Sequence, residues 1–153
     1  MGLKMRLGIR ARHAVRLMMG IGRLSRDRRP VSLGEVSHYC GVSRRYLDRL
    51  VVSLKRARLL QGRSGRAGGY LLIRPPAQIT IGEIVEAAAG PVTVSECVHH
   101  PELCLQSDVC QCRAVWTLID HRIAELLNQY SLADLLERWP GGAHHLMQEP
   151  KHV

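Results

Sequence analysis

The residues of this 153-residue chain with the clearest capacity for chemistry are its cysteines, because four of the five lie between positions 97 and 112. Cys97, Cys104 and Cys110 follow the spacing C-x6-C-x5-C, and Cys112 comes two residues later. Thiolates bind iron–sulfur clusters and zinc, and pairs of thiols form disulfides. An odd number of cysteines argues against a secreted disulfide scaffold, so the segment predicts a metal or redox site.

The composition predicts a cytoplasmic protein without membrane association. No apolar run reaches the roughly 18 residues that a bilayer requires. Arg12 and Arg16 interrupt the apolar pattern near the N-terminus, so that region does not resemble a signal peptide. The length suits one globular domain with an appendage.

The net charge of +9 is distributed unevenly along the chain. Residues 1–76 contain 18 Lys and Arg against 3 Asp and Glu, a net charge of +15. Residues 77–153 contain 4 against 10, a net charge of −6. A strongly basic half favours a polyphosphate partner, so we expect the first half to bind nucleic acid.

Helical periodicity and capping signals predict three helices in the basic half. The first covers residues 9–24, and Ser32 with Glu35 forms a capping-box signature for a second helix over 33–39 that Gly41 ends. Ser43 is the expected cap of a third helix that runs to about Arg58. A helix, a glycine turn and a helix with a basic outer face predict a helix-turn-helix.

Two short apolar segments follow, Leu59–Leu60 and Tyr70–Ile73, on either side of a glycine-rich stretch. This pattern predicts a β-hairpin, and a hairpin directly after a recognition helix is a wing. The predicted fold class is therefore mainly α with a small β-hairpin wing: a winged helix-turn-helix over residues 1–76.

The second half is predicted to contain a cysteine-bearing loop and helices that mediate dimerisation, over residues 77–139. Thr80 is the expected cap of a helix over 81–89, residues 91–108 look irregular, and a long helix covers about 108–129. A final short helix covers 132–139, and we predict that the tail 140–153 is disordered. The long helix has an apolar stripe formed by Val115, Ile119, Ile123, Leu126 and Leu127, with Trp116 beside it. The stripe favours a homodimer seam, with a core helix of a monomer as the alternative.

Several motifs occur in the order found in the IscR-like family of iron–sulfur, winged-helix regulators, a branch of the Rrf-type repressors, which the chain resembles over about 130 residues. They are Met5-Arg6-Leu7, Gly41-Val42-Ser43 with Tyr46-Leu47, Gly65 to Leu72, Ile81-Gly82-Glu83-Ile84 and the spaced cysteines, ending near Leu136. The resemblance implies a homodimeric DNA-binding transcription regulator and repressor, not an enzyme, that senses redox state, nitric oxide or the supply of iron or clusters.

The resemblance also implies that Cys97, Cys104 and Cys110 bind an iron–sulfur cluster, either 2Fe–2S or 4Fe–4S. The macrodipole at the start of the long helix would favour the thiolate of Cys110. The fourth ligand does not carry over, because Arg113 and Arg12 occupy the positions where family branches have His or Asp. Cys112 and His13 are the remaining candidates, with His99 a weaker one.

The chain also departs from the family pattern in the wing, where Ser64 stands in place of the usual Arg. Arg63 and Arg66 flank it, and we expect them in or beside the minor groove. Base or phosphate contacts in the major groove are expected from Ser43, Arg44, Arg45, Tyr46, Asp48 and Arg49. Arg45 is the first candidate for a guanine contact, while Ser43 and Tyr46 suit phosphates. The expected partner is double-stranded DNA with a near-palindromic operator.

Other interpretations remain open on the sequence alone. The same regulator could use its cysteines for zinc or for a thiol/disulfide switch. A thiol oxidoreductase based on Cys110 and Cys112 would explain those two residues but not the basic half. A structural RNA-binding protein would need aromatic stacking residues, which are scarce here.

Overall fold

The computed structural model of the chain describes residues 7–25, 27–106 and 108–138. The predicted tail 140–153, Met5-Arg6 and the predicted helix end at Trp139 lie outside these residues. The elements in chain order are α1 Ile9–Leu24, α2 Leu33–Cys40, α3 Arg44–Arg56, β1 Leu60–Arg63, β2 Gly69–Leu72, a 3-10 turn Pro76–Gln78, α4 Ile81–Ala89, α5 Glu96–His99, a 3-10 turn Pro101–Leu103, α6 Gln111–Asn128 and α7 Leu132–Arg138. The predicted fold class, mainly α with a two-stranded hairpin, is confirmed.

The helix-turn-helix forms where the capping signals predicted it. The Ser32 hydroxyl accepts a hydrogen bond from the Glu35 N–H, and the Glu35 carboxylate accepts one from the Ser32 N–H at 2.9 Å. Gly41 ends α2 with φ of +66°, a left-handed conformation that costs glycine little. The predicted capping box and helix end are therefore confirmed.

The third helix differs from its prediction at both ends. Ser43 occupies the N-cap position, but its side chain makes no capping hydrogen bond, so the expected side-chain cap is wrong. The helix ends at Arg56 and not at Arg58, because Arg58 has a φ of +55° that breaks the helical path. Leu59 and Leu60 then enter the core and start the wing.

The wing is an antiparallel hairpin tied to the helix-turn-helix. β1 and β2 pair from Leu60 with Leu72 to Arg63 with Gly69. Val31, just before α2, exchanges two backbone hydrogen bonds with Tyr70, at 2.8 and 3.0 Å. A Cβ on Gly69 would lie 2.5 Å from the Val31 carbonyl, so only glycine allows this close approach. The hairpin is thus held beside the recognition helix.

A single apolar core connects the winged-helix half to the residues after it. Fully buried side chains come from α1, α3, α4 and the start of α7, among them Leu17, Met18, Ile21, Leu47, Leu50, Leu54, Ile84 and Leu132. Large aliphatic side chains fill this core, as expected for a chain without phenylalanine.

The long helix α6 packs against α4 and leaves one face uncovered in the single chain. It begins at Gln111, three residues later than predicted, with Cys110 as its N-cap residue. Gly82 on α4 allows a close approach of Asn128, whose amide oxygen also accepts a hydrogen bond from the Thr80 hydroxyl at 2.8 Å. Leu127 packs against the core, so it does not belong to the exposed stripe in which we predicted it.

Within the residues that the structure describes, no helix combines the length and the apolar character needed to cross a bilayer.

Candidate DNA-binding surface and cysteine loop

The outer face of α3 presents an uncovered set of charged side chains. Arg44, Arg45, Asp48 and Arg49 are all exposed, and we call these four residues the recognition face. The ion pairs of the described residues do not include the three arginines of this face. These guanidinium groups are therefore available to phosphates or to guanine edges.

Tyr46 is the residue of the predicted set that faces the other way. Its side chain is half-buried, and its hydroxyl is fully buried without a hydrogen-bond partner among the described residues. Its ring meets the His13 ring edge-on, with centroids 5.3 Å apart. In this conformation the hydroxyl is not available for the phosphate contact that we expected, because the side chain packs against α1.

The tip of the wing carries the two other predicted arginines into solvent. Arg63 ends β1, Arg66 lies in the turn, and both are exposed. Gly65 has a φ of +109°, which lets the turn fold tightly between them. Ser43 is exposed at the start of α3, on the same part of the molecule as the recognition face.

Val52 is a residue that the sequence reasoning missed. It is 50% exposed and lies two turns after Arg45 on the outer side of α3, among the charged residues. An apolar side chain there can contact a thymine methyl group. The signal in the sequence was a valine that interrupts an otherwise charged helical face.

Not every arginine of the basic half is available to DNA. Arg29 binds the carboxylate of Glu35 at 2.6 Å, and Arg74 binds that of Glu83 at 2.7 Å. Both glutamates belong to capping boxes, with Ser32 and Thr80 as the capping residues. The hydrogen bond from Arg29, with those from Ser32, lowers the pKa of Glu35 to about 2. These arginines stabilise helix starts.

The cysteines lie on a loop between the core and the long helix, residues 91–106 and 108–110, which we call the cysteine loop. Cys97 lies in α5, Cys104 follows the second 3-10 turn, and Cys110 occupies the N-cap position of α6. All three are half-buried free thiols, while Cys112 is exposed in the first turn of α6. The predicted position of Cys110 at the start of the long helix is confirmed.

The structure brings the thiols to one loop without gathering them around one point. Among residues 7–25, 27–106 and 108–138, no three His, Cys, Asp or Glu side chains are grouped so that they could hold a metal ion. His99, a weaker candidate ligand, has its Nε2 atom 3.6 Å from the carboxylate of Asp120. His13 lies against Tyr46 instead, and burial, with the charges of Arg16 and Arg12, lowers its pKa.

An exposed recognition face, a glycine-tipped wing and a long helix after them define a winged-helix transcription regulator. A family model described as "Rrf2: Iron-dependent Transcriptional regulator" matches residues 7–138. The chain belongs to the Rrf2 family.

Relatives and solved structures agree with this assignment. The HTH-type transcriptional regulator IscR of Sodalis glossinidius is 35% identical over 132 residues, which are 86% of this chain and 79% of that protein. CymR, the global cysteine regulator of B. subtilis, matches with a TM-score of 0.72 at 26% identity, over 88% of this chain and 98% of that structure. IscR of T. potens shares the fold, with a TM-score of 0.71 at 24% identity over 94% and 97% of the two chains.

These comparisons decide between two of the classes considered from the sequence. The relatives are named as transcriptional regulators, so this chain is a transcription regulator of the Rrf2 and IscR type and not a thiol oxidoreductase. Its DNA binding follows from the same membership.

Proposed function

We propose that this regulator works as a homodimer whose affinity for DNA responds to an iron–sulfur cluster bound by Cys97, Cys104 and Cys110. The observation that carries the proposal is the position of three half-buried free thiols on one loop that joins the winged-helix core to the long helix. The membership in a family described as iron-dependent supports it.

The donor set fits a cluster chemically, with one ligand still to be assigned. Cysteine thiolates, commonly four, are the usual protein ligands of iron–sulfur clusters, and the helix dipole at Cys110 stabilises negative charge there. Cys112, two residues further on, and His13, whose lowered pKa favours the neutral imidazole that binds metals, are the candidates for the fourth position. When bound, the cluster would supply a centre that reacts to redox state, nitric oxide or cluster supply.

The separation of the thiols suggests how the response would reach the DNA. Because no three donors are grouped in the described residues, we propose that binding one cluster draws the cysteine loop together around it. The loop leads directly into α6, and the uncovered stripe of α6 is our proposed dimer seam. A change in the loop would therefore alter the distance or angle between the two recognition helices of a dimer.

On the DNA side, we propose that Arg44, Arg45 and Arg49 enter the major groove while Arg63 and Arg66 contact the minor groove or its phosphates. Asp48 belongs to the same exposed face, and Ser43 is exposed just before it, at the N-terminal end of α3. Two such faces related by a twofold axis favour a near-palindromic operator.

The experiment that tests the cluster is anaerobic purification followed by an absorption spectrum and assays for iron and acid-labile sulfide. We expect coloured protein that contains both. Single Cys→Ser changes at 97, 104 and 110 should each abolish iron and sulfide binding, whereas Cys40→Ser, in the half-buried cysteine that ends α2, is the matched control and should not.

The Cys112→Ser variant assigns the fourth ligand. A loss as severe as in the other three variants would identify Cys112, and retention of the cluster would favour His13 or an external thiol. Stoichiometric zinc without sulfide in protein prepared without oxygen would overturn the cluster and leave the DNA-binding function intact.

A thiol/disulfide switch is the second candidate function. The observation that favours it is the similarity to CymR, whose structure is described as that of a cysteine regulator, together with the five free thiols of this chain. If this candidate is correct, iron and sulfide are absent, and mild oxidation changes DNA affinity in a way that dithiothreitol reverses.

A further inference from the structure

The centre of the long helix holds a buried carboxylate. Asp120 is 7% exposed, and it is the only buried charged side chain among the described residues. Its Oδ1 atom accepts a hydrogen bond from the Val94 N–H at 2.7 Å, and its Oδ2 atom lies 2.9 Å from the Thr93 hydroxyl. Burying a carboxylate costs much free energy unless hydrogen bonds compensate for the lost water. These two contacts therefore allow Asp120 to be buried.

The partners of Asp120 lie on both sides of the first candidate cluster ligand. Before Cys97, the Thr93 hydroxyl lies 2.8 Å from the Ser95 carbonyl oxygen, and the Ser95 hydroxyl lies 3.1 Å from the Cys97 sulfur. After Cys97, His99 places its Nε2 atom 3.6 Å from Asp120 Oδ2. The turn that carries this thiol is therefore hydrogen-bonded to α6 at its start, and at its end His99 lies near the same carboxylate.

Apolar packing holds little of the rest of the cysteine loop. Val92 packs against the core, but Leu103, Leu105 and Val109 further along are exposed. Val98 is half-buried and lines a cavity of about 320 Å³ between the loop, α4 and α6. The hydrogen bonds to Asp120 are thus the polar attachment of the Cys97 turn to the long helix.

We infer that Asp120 is a positioning residue that fixes the Cys97 turn to the long helix and so transmits the state of the cysteine loop to that helix. The attachment itself is independent of any cofactor, whereas the transmission rests on the proposed function. Loss of the carboxylate frees the turn from the helix without touching the recognition face.

Hydrogen–deuterium exchange on the metal-free full-length protein tests the attachment. We expect Asp120→Ala and Thr93→Val to accelerate amide exchange in residues 92–100 by about tenfold or more, as the loss of a hydrogen bond to a charged group predicts. Asp120→Asn, which retains an acceptor for the Val94 N–H, should restore most of the protection. Ser53→Ala is the matched control, because the Ser53 hydroxyl bonds within α3, to the Leu50 carbonyl.

Unchanged exchange in residues 92–100 of both Asp120→Ala and Thr93→Val would overturn the attachment. If Asp120→Ala does not fold, Thr93→Val decides alone, since Thr93 is exposed and contributes nothing to the core.

The transmission is tested by the ratio of operator affinities with and without anaerobic reconstitution by iron and sulfide. In Asp120→Ala and Thr93→Val we expect this ratio to approach one, while the affinity of the cluster-free protein remains at the wild-type value. A wild-type ratio in variants with accelerated exchange would overturn the transmission. A ratio of one in the wild type would instead refute the proposed function, and the exchange result would still decide the attachment.

Discussion

At the scale of the residue, Arg45 combines exposure, a position in the first turn of α3 and the absence of an acidic partner in the described ion pairs. A guanidinium group can donate two parallel hydrogen bonds to guanine, which alanine cannot replace. We expect Arg45→Ala to weaken operator binding by about 1–3 kcal/mol and to relax sequence preference. Fluorescence anisotropy with operator and scrambled duplexes measures both effects.

The control for this variant is Arg122→Ala, in an exposed arginine on the long helix that pairs with Glu125. It should leave operator binding unchanged. An equal loss of affinity for operator and scrambled DNA in Arg45→Ala would assign Arg45 to phosphate contact and not to base recognition.

Glu35 makes the start of α2 sensitive to acid. Its pKa falls from 4.5 to about 2 in the folded protein, chiefly because Arg29 donates a hydrogen bond to it. Because the pKa of Glu35 is lower in the folded than in the unfolded chain, its ionised carboxylate stabilises the fold. This contribution to the free energy of unfolding is fully present above pH 4.5 and is lost as the pH falls toward 2.

The measurement is urea unfolding of the wild type and Glu35→Gln between about pH 6 and 3, a window set by the linkage of protonation to stability. Because the side chain is 39% exposed, solvent screening limits the difference at pH 6 to less than about 1 kcal/mol. The difference should shrink as the pH falls. A difference that is constant with pH would mean that the Glu35 charge does not stabilise the fold.

At the scale of the element, the long helix has one packed face and one exposed apolar face. Asp120 and Leu127 face the chain's own fold, while Val115 and Leu126 are 52% and 53% exposed. With 100° of rotation per residue, Val115, Ile119, Ile123 and Leu126 form one stripe beside the packed face. Such a stripe is stable in water when a second copy covers it.

We expect Val115→Glu to convert a dimer into a monomer, because a charge in an apolar seam is costly to desolvate. Light scattering coupled to gel filtration at micromolar concentration gives the mass. Ala114→Glu places the same charge 100° away on the exposed helix and should leave the dimer intact. A monomeric wild type, or a dimeric Val115→Glu variant, would refute this seam.

At the scale of the whole molecule, the uneven charge predicts how DNA binding depends on salt. The basic half carries a net charge of +15, although Arg29 and Arg74 are held by capping glutamates. A dimer that makes six to ten phosphate contacts should lose about three to five orders of magnitude in affinity between 50 and 200 mM salt.

The slope of log K against log salt checks this expectation. Arg66→Ala, which removes an exposed cation twice per dimer, should reduce the slope by about 2. Operator binding that is insensitive to salt would contradict the electrostatic interpretation of the basic half.

The sequence by itself determined the features that depend on neighbours within about one helical turn. Ser32 with Glu35, Thr80 with Glu83 and the turn at Gly41 could be predicted, because capping joins residues three positions apart. The helical periodicity of α3 likewise predicted that Arg44, Arg45, Asp48 and Arg49 would be exposed. Ser43 is the exception, since its hydroxyl does not cap although the position is correct.

The tertiary structure alone decided which long-range partners each side chain meets. The Tyr46 hydroxyl turns inward beside His13, and Asp120 is buried against Thr93, 27 residues earlier in the chain. Leu127 faces the core, while three thiols that are close in sequence remain ungrouped in the described residues. Periodicity predicts that a helix has an apolar side, but the choice of what covers it depends on how distant elements pack, which no local pattern contains.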